Sequence, residues 1–180
     1  MKLRLACAGA ILVGSVMAGL CGSAGAVDGV SFEAGQGDGA TMGRLGLQWN
    51  FGKQWLKGER WHVGGYWDLS LGHWRRDALP GQNDNLSEIG LTPVLRLQQN
   101  DNTGLYGEIG VGAHLLSKTS LGSKRFSTSF QFGDHLGVGY RFGAKGALDL
   151  GIRYQHLSNA SIKQPNNGIN FTQVRLQYWF

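Results

Sequence analysis

The segment INFTQVRLQYWF, residues 169–180, alternates between two kinds of side chain along its whole length. The first set of alternate positions is mainly apolar and comprises Asn170, Thr172, Val174, Leu176, Tyr178 and Phe180. The second set is mainly polar and comprises Phe171, Gln173, Arg175, Gln177 and Trp179. Because successive side chains of a β-strand point to opposite faces, this pattern predicts a strand with one apolar and one polar face.

The same period of two recurs from Val30 onward, and the sequence contains no long amphipathic helix. Turn signals divide the chain into eight predicted strands, at residues 29–36, 41–52, 60–74, 86–98, 103–115, 128–142, 147–158 and 169–180. Pro93 makes the fourth strand the weakest of the eight, because proline cannot donate a hydrogen bond to a sheet.

The composition excludes several classes of protein. Of the 180 residues, 42% are hydrophobic, 11% aromatic and only 16% charged, which is unlike a disordered chain. The 30 glycines follow no three-residue period, so the chain is not collagen-like. A mean hydropathy of −0.19 excludes a bundle of membrane helices. It is compatible with a membrane β-barrel, in which apolar and polar positions alternate and cancel in the average.

The N-terminus has the order of a secretory signal: Lys2 and Arg4, then an apolar run, then small residues ending at Ala26. We therefore predict a signal peptide at residues 1–26 and a mature domain at 27–180. A transmembrane anchor is disfavoured because the run is short and rich in glycine and alanine. A lipoprotein signal at Cys21 is disfavoured because Leu20 occupies a position where a small residue is expected.

Cleavage after Ala26 would remove both cysteines, so no disulfide or thiolate metal site is predicted for the mature chain. The spacing of histidines and carboxylates indicates no metal site either, and we predict no cofactor. Loss of Lys2 and Arg4 lowers the net charge from +5 to +3. This small, dispersed excess argues against nucleic-acid binding.

The polar face carries charges of both signs amid many glycines: Glu33, Arg44, Asp68, Glu88, Arg96, Glu108, Asp149, Arg153 and Arg175. Mixed charges suit pairing inside a narrow lumen, with the apolar face toward lipid. Export, the even strand count and aromatic residues near strand ends (Trp49, Trp61, Trp74, Trp179) favour the same assignment. We predict an all-β fold, an eight-stranded antiparallel transmembrane β-barrel of the outer membrane. A soluble lipocalin-like barrel is the alternative, and eight strands leave no open channel for a porin.

In such a barrel both termini lie in the periplasm. The connections at 53–59, 99–102 and 143–146 are then periplasmic, and those at 75–85, 116–127 and 159–168 are extracellular. The predicted seventh strand therefore ends near the outer-leaflet interface.

His156 and Ser158 lie at this strand end on the apolar, outward face, and Asn170 on the next strand has the same parity. A polar group facing hydrocarbon is costly and marks a functional candidate. A serine beside a histidine is the minimum for an activated oxygen nucleophile. The alternative is that these residues only mark the barrel rim, where polar side chains meet lipid headgroups.

Two stretches here resemble the C-terminal signature of the PagL family of outer-membrane lipid A 3-O-deacylases. They are His156-Leu157-Ser158-Asn159-Ala160 and Lys163-Gln164-Pro165-Asn166-Asn167-Gly168-Ile169. Gly65-Tyr66-Trp67-Asp68 and Phe132-Gly133-Asp134 match the family more loosely. The resemblance implies hydrolysis, without metal, of the ester-linked acyl chain at position 3 of lipid A or lipopolysaccharide. It also implies His156 as general base, Ser158 as nucleophile, Asn159 as an activity-critical neighbour and Asn166 as an amide donor to the oxyanion.

One position departs from the family pattern: Asn170 stands where the family has the glutamate of its triad. Asparagine can accept a hydrogen bond from the imidazole but adds no charge. In a serine enzyme the loss of this carboxylate costs about 10⁴ in turnover, largely through the wrong tautomer. The resemblance therefore leaves three outcomes open: a slower enzyme, recruitment of another carboxylate, or an inactive protein.

Asp134 is the alternative carboxylate that the sequence suggests, on the outward face of the predicted sixth strand. Counting back through the 143–146 turn pairs His156 with Phe132, which places Asp134 diagonally adjacent, about 7–8 Å away. A purely structural aspartate is the other interpretation.

The predicted outer loops carry Lys118, Lys124, Arg125 and Lys163, which suit the phosphates of lipid A or a generally anionic leaflet. Two other functions stay open: an acyl-transferring barrel using the same nucleophile, and a non-catalytic barrel for adhesion or envelope structure. The sequence does not decide between a monomer and a homodimer.

Overall fold

The computed structural model describes residues 25–180, so the predicted signal peptide lies outside the described residues except for its last two. Residues 25–180 form ten strands and one short 3₁₀ helix, Ala144–Gly146. The strands are β1 (Gly29–Gly37), β2 (Ala40–Asn50), β3 (Trp61–Arg76), β4 (Asn85–Gln99), β5 (Gly104–Leu116), β6 (Ser120–Leu121), β7 (Lys124–Arg125), β8 (Phe130–Phe142), β9 (Leu148–Ser158) and β10 (Ile169–Trp179).

Eight of these strands form a closed barrel in the order β1-β10-β9-β8-β5-β4-β3-β2. Every neighbouring pair is antiparallel, and β1 closes the barrel against β10 from Gly29↔Trp179 to Gln36↔Thr172. The predicted fold class is confirmed, and the predicted strand ends lie within two residues of those observed. Pro93 does interrupt pairing: the β4–β5 ladder stops at Leu91↔Ala113 and resumes at Val94↔Gly110.

The lumen is filled by charged side chains that neutralise one another. Five arginines are buried with five carboxylates: Arg44, Arg96, Arg141, Arg153 and Arg175 with Glu33, Asp68, Glu88, Glu108 and Asp149. Arg153, for example, lies 2.6 Å from Glu108 and 2.8 Å from Glu33. The predicted pairing of mixed charges inside the barrel is therefore confirmed. Neither partner of such a pair can be removed alone without a large cost, because an unpaired buried charge is strongly destabilising.

The outer wall is apolar, with Phe32, Leu45, Leu71, Leu105, Leu136 and Ile152 all more than half exposed. Such a continuous exposed apolar surface on a monomer marks contact with lipid or another apolar partner. Within residues 25–180, no helix has both the length and the apolar character needed to cross a membrane.

Two of the four tryptophans near strand ends face the lumen. Trp74 and Trp179 are buried inside the barrel, because their positions have the parity of the lumen-facing side chains. Trp74 packs edge-on against Phe171, with ring centroids 5.0 Å apart. Trp61 and Trp49 are partly exposed, so of the four only these two support the membrane assignment.

The end of the barrel that carries the 38–39 turn and the connections 77–84, 117–129 and 159–168 is called here the long-loop end. Its lumen is closed by an apolar cluster of Ala40, Met42, Trp74, Leu86, Leu116, Leu121, Phe126, Leu157, Ile169 and Phe171. The 117–129 connection contains the β6–β7 hairpin, which the sequence did not predict.

The 117–129 connection is docked onto the 159–168 connection. The backbone N–H of Arg125 donates to Asn167 Oδ1 at 2.9 Å, and Asn167 N–H donates to the Arg125 carbonyl at 3.1 Å. Ser127 Oγ donates to the Pro165 carbonyl at 2.7 Å. The apolar cluster inside the barrel and these hydrogen bonds between the two connections hold the ends of β9 and β10 in a fixed position.

Candidate active site

The ends of β9 and β10 bring His156, Ser158 and Asn170 together at the long-loop end. Asn170 and His156 are direct partners across the two strands, and Ser158 lies two residues beyond His156. All three side chains are on the outward face and half-buried, while their neighbours Leu157 and Ile169 point inward and are fully buried. The parity argument from the sequence therefore places the three polar groups as the structure does.

His156 is oriented by Asn170, because its Nδ1 lies 2.8 Å from Asn170 Oδ1. A carbonyl oxygen only accepts hydrogen bonds, so Nδ1 carries the proton and donates. Nε2 is then left with a lone pair, as a general base requires. In the described structure, Ser158 Oγ makes no hydrogen bond to His156. In many enzymes the contact between nucleophile and base shortens only when substrate binds.

Gly168, the residue before β10, makes room for the imidazole. A Cβ at this position would lie 2.9 Å from His156 Cε1 and 3.5 Å from Nε2. The backbone here also has a φ of +59°, which favours glycine. Two independent constraints thus require glycine beside the imidazole.

Asn159 and Asn166 support the 159–168 connection. Asn159 is fully buried, and its Nδ2 donates to the carbonyls of Phe126 and Lys163, each at 2.8 Å. Its backbone N–H donates to Asn166 Oδ1 at 3.2 Å. This bond fixes the amide of Asn166 so that its Nδ2, which has no partner in residues 25–180, is the group left to donate.

The register places Asp134 differently from the sequence-based count. His156 pairs directly with Asp134, and Ser158 pairs with Phe132, so the predicted pairing of His156 with Phe132 was wrong by two residues. Phe142 pairs with Leu148 across the 143–147 connection, and this register places Asp134 opposite His156. Asp134 is exposed, and its side chain makes no hydrogen bond in the described structure. Phe132 stacks edge-on with Phe130, with centroids 4.9 Å apart.

A carboxylate that the sequence analysis missed, Asp38, contacts Asn170. Asp38 Oδ2 accepts hydrogen bonds from Asn170 N at 3.0 Å, Asn170 Nδ2 at 3.1 Å and Lys124 Nζ at 3.0 Å. Partial burial works to raise the pKa of Asp38, but the bonds from Lys124 and Asn170 outweigh it and hold that pKa below its usual value. The signal that could have revealed Asp38 is barrel closure, since pairing β1 with β10 brings residue 38 opposite residue 170.

The predicted cations fall into two groups. Lys118 donates to the Asn85 carbonyl at 2.9 Å, and Lys124 donates to Asp38. The ammonium groups of both lysines are therefore already bound to other residues of the chain. Arg125 and Lys163 are exposed. The sequence analysis missed two further cations, Arg75 and Arg76, which line an open groove of about 940 Å³ that also reaches Thr172 of β10.

No group of three or more His, Cys, Asp or Glu side chains is arranged to hold a metal ion in the part of the chain that the structure describes. His62, His114 and His135 are buried in the lumen. His73 lies on the outer wall, 3.3 Å from Ser87 Oγ.

The chain is similar to known proteins over most of its length. A family model described as Lipid A 3-O-deacylase (PagL) matches residues 41–179. The Lipid A deacylase PagL of Bordetella bronchiseptica is 36% identical over 115 residues, which span 63% of this chain and 61% of that protein. The Lipid A deacylase PagL of Pseudomonas aeruginosa is 32% identical over 148 residues, which span 82% and 83%.

The crystal structure of the outer membrane enzyme PagL has the same fold. It superposes with a TM-score of 0.76 at 27% identity, covering 84% of this chain and 99% of that one. The barrel described above is accordingly an outer-membrane barrel, and its apolar wall faces lipid. The chain belongs to the PagL family of lipid A 3-O-deacylases.

Proposed function

We propose that this chain hydrolyses the ester-linked 3-hydroxyacyl chain at position 3 of lipid A, with Ser158 as nucleophile and His156 as general base. Family membership supports the reaction. The observation that supports the mechanism is the 2.8 Å contact between His156 Nδ1 and Asn170 Oδ1. This contact leaves Nε2 unprotonated on the same face of β9 as Ser158.

The reaction proceeds in two steps through an acyl-enzyme. Ser158 Oγ attacks the ester carbonyl carbon while His156 Nε2 accepts the hydroxyl proton. The tetrahedral intermediate collapses, the sugar oxygen leaves with the proton returned by His156, and the acyl group stays on Ser158. His156 then deprotonates a water molecule that attacks the acyl carbon, releasing a 3-hydroxy fatty acid and restoring the serine.

The negative charge on the intermediate's oxygen requires hydrogen-bond donors already in place. Asn166 supplies one, because its Oδ1 is occupied by the backbone of Asn159 and its Nδ2 remains free to donate. Asn159 fixes the connection by binding two of its neighbouring carbonyls. Removing one such donor from an enzyme costs about 10²–10³ in turnover.

The outward position of Ser158 explains how a lipid reaches the nucleophile. A lipid A molecule in the outer leaflet can diffuse sideways to β9 while its acyl chains remain in hydrocarbon. Exposed Arg125 and Lys163 offer charge for phosphate groups, and Arg75 and Arg76 line the adjacent groove together with Asp77 and Asp84.

The test is mass spectrometry of lipid A from cells that express wild type, Ser158→Ala or the control Ser123→Ala, an exposed serine between β6 and β7. We expect wild type and the control to remove one 3-hydroxyacyl chain, and Ser158→Ala to remove none. Heat-dependent gel mobility confirms that each barrel is folded. A gained acyl chain would instead identify a transferase, and unchanged lipid A with wild type would identify a non-catalytic barrel.

A further inference from the structure

We propose that Asp38 is a positioning residue that acts through Asn170 to hold His156 in its catalytic tautomer. Asp38 would thereby supply, from the other end of the chain, the carboxylate that position 170 lacks. The inference rests on the proposed roles of Ser158 and His156.

The hairpin geometry explains why a carboxylate stands at this point. Asp38 and Gly39 form the two-residue turn between β1 and β2, with φ values of +51° and +76°. A turn with both residues at positive φ favours the sequence Asp-Gly. The last pairs on either side, Gly37↔Ala40 and Gln36↔Thr172, bring the turn directly beside the first residues of β10.

The hydrogen bonds form a continuous chain from carboxylate to amide to imidazole. Asp38 Oδ2 is an acceptor only, so the Asn170 atom facing it at 3.1 Å must be the donor Nδ2. The Asn170 carbonyl then faces His156, which forces Nδ1 to carry the proton. The carboxylate thus decides which tautomer is present, although it does not touch the imidazole.

Without Asp38, none of these contacts prevents the side-chain amide of Asn170 from rotating so that Oδ1 and Nδ2 exchange places. Its NH₂ group would then face His156 and stabilise the tautomer protonated on Nε2. That tautomer cannot accept the proton of Ser158. An asparagine alone is therefore ambiguous, and the neighbouring carboxylate removes the ambiguity.

Lys124 fixes the carboxylate and limits its electrostatic effect. Its Nζ donates to Asp38 Oδ2 and to the Gly168 carbonyl, each at 3.0 Å, so it ties the turn to the residue beside His156. The pKa of Asp38 is held below its usual value by these contacts, which keeps the acceptor ionised at neutral pH. Because the lysine neutralises much of the charge, orientation is the main contribution. Losing a group that orients another typically costs about 10- to 100-fold in activity.

The decisive variants are Asp38→Gly and Asn170→Glu, alone and together. Glycine fits the turn and removes the carboxylate. We expect Asp38→Gly to lower kcat for release of 3-hydroxy fatty acid from lipid A in mixed micelles by about 10- to 100-fold, with a much smaller change in KM. Asp38→Asn keeps an acceptor oxygen and the turn preference, and should lose markedly less.

Asn170→Glu should be rescued by the loss of Asp38. The introduced glutamate would accept directly from His156 and would repel a second carboxylate about 3 Å away. The double variant should therefore be at least as active as wild type. If Asp38 only shaped the turn, the double variant would be as impaired as Asp38→Gly, and that result would overturn the proposal.

The matched control is Asp101→Gly, a turn aspartate at the other end of the barrel whose side chain accepts hydrogen bonds from the backbone and hydroxyl of Thr103. Nitrogen-15 chemical shifts of the His156 ring supply a readout that does not depend on activity. Wild type should show protonated Nδ1, and Asp38→Gly should gain the Nε2-protonated form; an unchanged tautomer with full activity refutes the inference.

If Asp134→Asn alone abolished activity, Asp134 would be the supporting acid.

Failure of the two proposals is distinguishable. If Ser158→Ala still hydrolysed lipid A, the proposed mechanism would fail whatever Asp38 does. If Ser158→Ala were inactive while Asp38→Gly kept the wild-type rate, only the inference about Asp38 would be lost.

Discussion

Replacement of Gly168 by alanine tests how closely the position of His156 limits the reaction. The new methyl group would lie 2.9 Å from His156 Cε1, whereas an ordinary carbon contact is about 3.5 Å. The imidazole or the backbone must therefore move by about 0.6 Å. A misplacement of 1 Å costs about 10²-fold in enzymes, so the expected loss in kcat is of the order of 10-fold.

Backbone strain must be separated from this displacement. Alanine at a positive φ costs about 1–2 kcal/mol wherever it occurs. Gly81 is the matched control: its φ is +84°, and a Cβ there would meet nothing within 4 Å. Gly81→Ala should show the same loss of stability with full activity.

The assay is the release of 3-hydroxy fatty acid from lipid A in mixed micelles, with urea unfolding in vesicles measured on the same preparations. We expect both variants to be destabilised and only Gly168→Ala to be slow. A wild-type rate in Gly168→Ala would mean that the imidazole position is not critical. An equal loss of rate in Gly81→Ala would assign the effect to strain alone.

Three further predictions concern the lumen, the loops and pH. Glu108→Gln leaves buried arginines without their partner and should lower the free energy of unfolding by about 3–5 kcal/mol, whereas exposed Glu59→Gln should change it by less than about 0.5 kcal/mol. Asn159→Ala removes the donor to two loop carbonyls, at about 1–3 kcal/mol for each that stays buried, so trypsin should cleave faster after Lys163 in an otherwise folded barrel. The folded-state pKa of Asp38 is lowered, so its contribution to stability is present above the unfolded value of about 3.9 and lost as pH falls through the folded value. The Tm difference between wild type and Asp38→Gly should accordingly be constant from pH 8 to 5 and shrink below about pH 4; shrinkage already near pH 6 would contradict this.

The alternation of residues was sufficient to predict the barrel and the direction of its side chains. Parity alone places His156 and Asn170 on the outer wall and Glu108 in the lumen, because every second residue of a strand faces the same side. The same rule, applied strictly, also turns Trp74 and Trp179 inward. A tryptophan near a strand end is therefore not by that position alone a lipid contact.

Register was harder to predict than parity. A small difference in the count across a connection shifts every pair, and the observed pairing of Phe142 with Leu148 places Asp134 directly opposite His156 instead of diagonal to it. Asp38 was missed for a different reason: it lies 132 residues from Asn170 in the chain. Only the closure of the barrel joins them, and the register of that closure depends on all the strands between.

The outward site has a consequence for which ester bond is cut. Ser158 ends its strand, so its depth along the membrane normal is set by the length of β9, which runs from Leu148 to Ser158. For a strand tilted by about 40°, each residue changes that depth by about 2.5 Å. With Ser158 as the proposed nucleophile, ester bonds at different heights in a lipid molecule would lie at its depth or above or below it. The length of β9 would then help to determine the regioselectivity of the reaction, in addition to the contacts between the substrate and the site.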